Sequence, residues 1–201
     1  VLIQGLSGIP AAYAEAELER GKQLIQVCVA CHGPNGEGNQ LLNAPANGGQ
    51  DTWYVVRQMN HFRSVIRGAH PEDLYGMQMR PMAMTLPDAQ ALQDVAAYVG
   101  SLEAPTPAKT IDGNVEEGQK TFVSNCLPCH GENAQGAELL NAPRLSKQHD
   151  WYIARQINNF RSGIRGGHPQ DIFGTQMRSM SQILTTEEQV NDVVTYINTL
   201  D

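Results

Sequence analysis

The sequence predicts an all-α protein of two tandem domains, each a few short helices. Three observations predict it. Apolar residues recur at helical spacing, and no run alternates as a strand would. The chain repeats itself once, with Cys28 matching Cys126 at an offset of 98 that holds without a gap to the C-terminus. About half of the paired positions are identical, among them Trp53/Trp151, Arg57/Arg155, Phe62/Phe160, Met79/Met177 and Tyr98/Tyr196. Such a period is far longer than a solenoid repeat and marks duplication of a whole domain. Third, each half carries one Cys-x-x-Cys-His stretch: Cys28, Cys31, His32 and Cys126, Cys129, His130.

These five-residue stretches are the attachment signature of a c-type haem. Two thiols close thioether bonds on one edge of a porphyrin, and the following His turns its imidazole onto the iron. The motifs account for all four cysteines in the chain. A shared zinc site is disfavoured because a domain's length separates the pairs and a His follows each. A thioredoxin-like redox motif needs a βαβ context that is absent here. Disulfides would leave the paired histidines unexplained. Two covalently bound haem c groups, with their iron, are the expected cofactors.

Composition bounds the rest. The chain has 201 residues, 41% apolar and 17% charged, with a formal net charge of −7. That balance makes nucleic acid an unlikely partner, and no apolar run is long enough to span a membrane. A half of about 100 residues has a thin core, so each half is expected to depend on its haem for stability.

Taken in order, residues 1–14 are apolar and end in Ala12-Tyr13-Ala14, an A-x-A-like cleavage pattern. They read as a signal-peptide remnant or an N-terminal arm that can associate with a membrane only peripherally. Domain 1 is expected over 15–103. Its first helix starts at Glu15, with Leu18, Leu24 and Ile25 facing inward up to Cys28. The equivalent helix in the second half runs from Val115 to Asn125. Gly21 and Gly118 near these starts suit a close helix crossing. A Gly/Asn/Pro loop follows each haem motif, over 33–49 and 131–146. The next helix starts near Trp53, with Asp51 or Thr52 as cap and Val55, Met59, Phe62 and Ile66 recurring at helical spacing. A long methionine-bearing loop is expected from Arg67 to Thr85, and a last helix from Asp88 to Leu102. In the copy, Thr185 and Glu188 read as a capping box. Residues 104–114 form a Pro-rich linker, and domain 2 covers 115–201.

A sixth iron ligand used twice must occur twice. That leaves Met79/Met177, Met82/Met180 and His70/His168. A loop-bracing role suits the histidines equally, and methionines often only fill gaps.

The Cys-x-x-Cys-His motifs, the Pro loop, the Met segment and the closing helix with Tyr98 or Tyr196 resemble class I cytochrome c domains. Two in tandem are similar to the dihaem cytochrome c4 family, and the Trp53 to Arg63 segment, repeated at Trp151 to Arg161, is similar to a characteristic helix of that family. The resemblance covers essentially everything after residue 15. It implies His/Met ligation, by His32 with Met79 and by His130 with Met177, each Met lying seven residues before Leu86 or Leu184. It also implies that the carbonyls of Pro45 and Pro143 accept a proton from the axial imidazoles. Trp53, Trp151 and the pairs Arg63/Arg161, Arg67/Arg165 and Arg80/Arg178 are candidates for haem-propionate contacts.

The function so implied is a periplasmic electron carrier without a small-molecule substrate. It would link a quinol-oxidising complex (quinol–cytochrome c reductase) to a terminal oxidase or reductase. The competing reading is a haem enzyme, or an electron-entry subunit of a larger oxidase or reductase complex. Pro81/Ser179, Met84/Gln182 and Ala46/Arg144 differ near the two sites, so unequal potentials are expected.

Overall fold

The computed structural model describes residues 16–200. These are helical, without a strand. In the first half α1 (Leu18–Leu24) leads into α2 (Gln26–His32), followed by α3 (Thr52–Arg63), α4 (Leu74–Met84) and α5 (Ala89–Ser101). The second half repeats this order: α6 (Val115–Thr121), a π turn (Phe122–Cys126), α7 (Leu127–His130), α8 (Asp150–Arg161), α9 (Ile172–Ser181) and α10 (Glu187–Ile197). An N-terminal arm at 1–14 lies outside the described residues.

Two crossings set each half. α1 packs on α5, and α6 on α10. Both need a glycine. A Cβ at Gly21 would lie 2.1 Å from Asp94 O, and one at Gly118 only 2.0 Å from Asp192 O. The same acids hold the incoming chain: Asp94 Oδ1 accepts from Glu17 N at 2.9 Å, and Asp192 Oδ1 from Asn114 N at 2.7 Å. Around these crossings lie two cores. Ile25, Leu86, Leu92, Val95 and Val99 form the first, and Phe122, Leu184, Val190, Val193, Val194 and Ile197 the second.

The first helix is not continuous in either half. The second half has one residue more than the first between its crossing glycine and its first haem-motif cysteine. The first half tightens at Ile25, where Cys28 N donates to Ile25 O at 2.7 Å. The second half absorbs its extra residue in the π turn. Both devices lead from the same crossing into the short helix that ends in the haem-motif His.

Three expectations are corrected. The methionine segment is not a loop but helix α4, and α9 in the copy. Its start is fixed by Asp73, which accepts from Gly76 N at 3.0 Å, and by Asp171, which accepts from Gly174 N at 2.9 Å. The capping box of α10 is Thr186 with Gln189, one residue beyond Thr185 and Glu188. Neither Asp51 nor Thr52 caps α3. Asp51 occupies the N-cap position without a side-chain cap bond, and Oδ2 accepts from Arg144 N of the other half. The Pro-rich segment is also anchored: the buried Asp150 carboxylate accepts from Thr110 N, from Thr110 Oγ1 at 2.7 Å and from Ile111 N at 2.9 Å.

Candidate haem sites and the seam between the halves

Each haem motif sits at the C-terminal end of a short helix. His32 closes α2 and His130 closes α7, followed by Gly33 and Gly131 at φ 79° and 83°. That positive φ turns the chain back immediately, so the loop to the proline passes beside the imidazole. His32 Nδ1 lies 2.8 Å from Pro45 O, and His130 Nδ1 lies 2.9 Å from Pro143 O. A carbonyl can only accept, so Nδ1 carries the proton and Nε2 keeps its lone pair for a metal. Burial pushes both imidazoles below their ordinary pKa, outweighing the carbonyl bond. They are therefore neutral at pH 7, the state a metal ligand requires.

The four thiols are unpaired by any disulfide. Cys31 and Cys129 are exposed, while Cys28 and Cys126 are half-buried. Burial, assisted by Cys31, raises the Cys28 pKa; burial with Cys129 raises that of Cys126 to about 11. One exposed and one half-buried thiol in each motif suit a macrocycle lying along one side of the helix end.

Met79 and Met177 are half-buried on α4 and α9, which pack on α3 and α8. Met82 is half-buried as well, but its counterpart Met180 is 43% exposed. His70 and His168 each use Nδ1 to accept from a backbone N–H two residues on, at 3.2 Å. That is the loop-bracing arrangement.

The arginine and tryptophan candidates divide. Arg63 and Arg161 donate to the carbonyls of Leu86 and Thr185, tying α3 and α8 to the segments ahead of the closing helices. Arg67 and Arg165 instead cross between the halves. Arg67 donates to Tyr152 Oη at 2.9 Å and Gln156 Oε1 at 3.1 Å; Arg165 donates to Tyr54 Oη at 2.9 Å and Gln58 Oε1 at 2.8 Å. Trp53 and Trp151 are half-buried on the first turns of α3 and α8 and carry Arg57 and Arg155 over their rings, at 4.7 and 4.9 Å. Trp151 Nε1 is a buried donor without a partner, as are the Nε atoms of Arg67 and Arg155. Buried unpaired donors are costly, and an anionic carboxylate such as a propionate would satisfy the Trp151 indole.

The seam follows a pseudo-two-fold rule: the arginine, tyrosine and glutamine bonds from the first half to the second recur in the opposite sense. It escaped the sequence reading because Tyr54, Gln58 and their copies look like an ordinary polar helix face. The rule breaks at three positions. Asp51 corresponds to His149, whose Nε2 lies 2.8 Å from Glu37 O. Ala46 corresponds to Arg144, whose Nη2 donates to Gly48 O at 3.3 Å. A groove of about 670 Å3 runs on the Asp51 flank, past Trp53 and Val56 and residues 135–138. No haem-motif residue lines it. A further seam contact lacks a copy: His61 Nδ1 lies 3.8 Å from Asp171 Oδ1.

The fold and the paired sites define a tandem c-type cytochrome. Known proteins agree. The cytochrome c family profile matches residues 18–103 and again 115–201. Cytochrome c4 of Azotobacter vinelandii is 31% identical over 198 residues, covering 94% of this chain and 90% of the relative. A thiosulfate dehydrogenase electron acceptor of Stutzerimonas stutzeri is 28% identical over 179 residues, covering 84% and 76%. The crystal structure of reduced recombinant cytochrome c4 from Pseudomonas stutzeri superposes with a TM-score of 0.72 at 26% identity, covering 93% of this chain and all of that one. The chain belongs to the cytochrome c family, within the dihaem cytochrome c4 group. It is a dihaem electron carrier, with haem c bound covalently at Cys28 and Cys31 and at Cys126 and Cys129. None of its described helices is long and apolar enough to cross a membrane.

Proposed function

We propose that the protein carries electrons one at a time between larger redox complexes. In this reading His32 and Met79 ligate one iron, and His130 and Met177 the other. The observation that carries it is the twofold occurrence of one arrangement, a neutral buried imidazole with Nδ1 fixed on a proline carbonyl. When bound, haem c supplies a one-electron iron couple. The protein's own residues hold the imidazole in one tautomer and present a thioether from α4 or α9. A His/Met ligand set would leave no open position on the iron and would favour outer-sphere electron transfer over substrate binding. Met79 with Met177 is preferred to Met82 with Met180 because both members of the first pair are half-buried.

The compartment is the periplasm, since haem c is attached outside the cytoplasm. The electron donor is a quinol-oxidising complex and the acceptor a terminal oxidase or reductase. A second donor is suggested by the relative that serves a thiosulfate dehydrogenase, namely a sulfur-compound dehydrogenase. The enzyme alternative needs at least one exchangeable iron position.

Ligand substitution tests this reading. Met79→Ala or Met177→Ala should each abolish half of the near-infrared Met–iron(III) band and open one haem to CO. Met82→Ala and Met180→Ala should leave the band intact. Loss of the band in the second pair instead would move the ligands there, and rapid CO binding by the unsubstituted protein would favour an enzyme.

A further inference from the structure

The loop that accepts the axial imidazole's proton in each half is gripped by the opposite half. Pro45 lies between two such grips. Two residues before it, Arg155 Nη1 donates to Asn43 Oδ1 at 2.8 Å and Nη2 to Asn43 O at 3.0 Å. One residue after it, Gln148 Nε2 donates to Ala46 O at 2.7 Å, and Ala46 N donates to Gln148 Oε1 at 3.0 Å. The second half reciprocates around Pro143. Arg57 donates to Asn141 Oδ1 at 2.8 Å and to Asn141 O at 2.9 Å. Gln50 Nε2 donates to Arg144 O at 3.3 Å, and Arg144 N donates to Asp51 Oδ2 at 3.1 Å.

The grip is demanding. Asn43 and Asn141 hold left-handed backbones at φ 56° and 55°, conformations that are uncommon outside glycine. Each arginine engages both the side chain and the carbonyl of its asparagine, so it fixes the peptide plane as well as the residue. Each guanidinium is itself held by rings on both sides of the seam. Arg155 lies 4.3 Å from the Tyr75 ring of the first half and 4.9 Å from Trp151 of its own; Arg57 lies 4.8 Å from Phe173 and 4.7 Å from Trp53.

We propose that Arg155 and Gln148 are positioning residues for His32, and that Arg57 and Gln50 are positioning residues for His130. Each half thereby sets the strength of the other's Nδ1–H···O=C bond. A carbonyl held in place makes the imidazole a more basic ligand and stabilises the oxidised iron. Releasing the loop weakens that bond and raises the potential of the haem across the seam. The inference rests on His32 and His130 being the axial ligands.

The test uses the full dihaem chain with Arg155→Lys, which keeps the charge but removes the two-pronged donor, and with the reciprocal Arg57→Lys. Potentials are read by spectroelectrochemistry. Each haem is assigned by its hyperfine-shifted proton resonances, including solvent exchange of the axial Nδ1 proton. Arg155→Lys should raise the potential of the first-half haem and speed exchange at His32, leaving the second-half haem nearly unmoved. Arg57→Lys should do the reverse. Gln148→Ala is a milder second variant for the first loop and should act in the same direction as Arg155→Lys even if that variant folds poorly. The proposal is overturned if each variant shifts the haem of its own half, shifts both equally, or shifts neither while the axial ligands remain bound. Wild-type spectra showing another nitrogen ligand at either iron would instead overturn the ligand assignment itself.

Discussion

At the residue scale, single polar atoms do a great deal of the organising. Asp150 is fully buried and gathers the backbone N–H groups of Thr110, Ile111 and Trp151 with the Thr110 hydroxyl. Burial raises its pKa, but these four donors outweigh burial and hold it below the usual carboxylate value. Its contribution to stability is therefore complete above the unfolded-state value and lost as pH falls through the depressed one. Asp150→Ala leaves those donors unpaired and should cost about 2–4 kcal/mol at pH 7, measured by denaturant unfolding of the haem-loaded chain. The difference from wild type should shrink as the pH is lowered below 4. Unchanged stability at pH 7 would show that the linker is not anchored there. At this scale the sequence was readable wherever a residue pattern has one chemical use: Cys-x-x-Cys-His, and the glycines at 21 and 118. It was unreadable where one type has several. Arg63, Arg67 and Arg80 look alike in a string, yet Arg63 binds a carbonyl of its own half while Arg67 crosses the seam.

At the element scale, the structure separates what must be conserved in space from what can vary along the chain. The distance from glycine crossing to first cysteine differs by one residue between halves, and the helix changes pitch to absorb it. The π turn is thus a consequence of the extra residue. Deleting Ser124 should convert Phe122–Cys126 to the tight turn seen at Ile25, with both haems still attached by mass spectrometry. Loss of the second haem would mean that the widened turn is itself required. Gly118→Ala, by contrast, drives a methyl into Asp192 O and should destabilise the second half by about 3 kcal/mol, seen as a lowered denaturation midpoint. The helical pattern was legible for α3, α5, α8 and α10 because their apolar positions recur at three and four. It was not legible for α4. Gly76 and Pro81 have poor helix propensity, and the helix is held instead by the Asp73 cap and by packing on α3. A capping residue three positions before a glycine was the available signal.

At the scale of the whole molecule, the two halves form one object through reciprocal polar contacts. The tandem order was plain from the repeat, but the seam was not. A repeat states that two units are alike without saying which faces meet, and the Tyr54, Arg57 and Gln58 face looks solvated until its copy is placed opposite. The rule's exceptions give the two haems different surroundings: Asp51 stands in one half where His149 stands in the other, and Ala46 where Arg144 does. A redox titration should therefore resolve two waves with different midpoints; a single wave would mean that these differences do not reach the irons. His61 adds a pH-sensitive joint without a copy. Burial lowers its pKa, with Asp171 opposing and Arg165, Arg57 and Arg67 assisting. Folding thus disfavours its protonation, and stability from this group is complete above the unfolded-state value near 6.5 and lost as pH falls from there through the depressed one. His61→Asn, the residue type its copy carries at Asn159, should remove that component from the pH dependence of unfolding.

Counting Met-ligated irons tests the account most directly. Haem content from the pyridine haemochrome would be set beside the intensity of the near-infrared Met–iron(III) band in the oxidised chain. Two haems per chain, both contributing to the band, is the predicted result. Fewer than two haems, or a band accounting for only one of them, would contradict it.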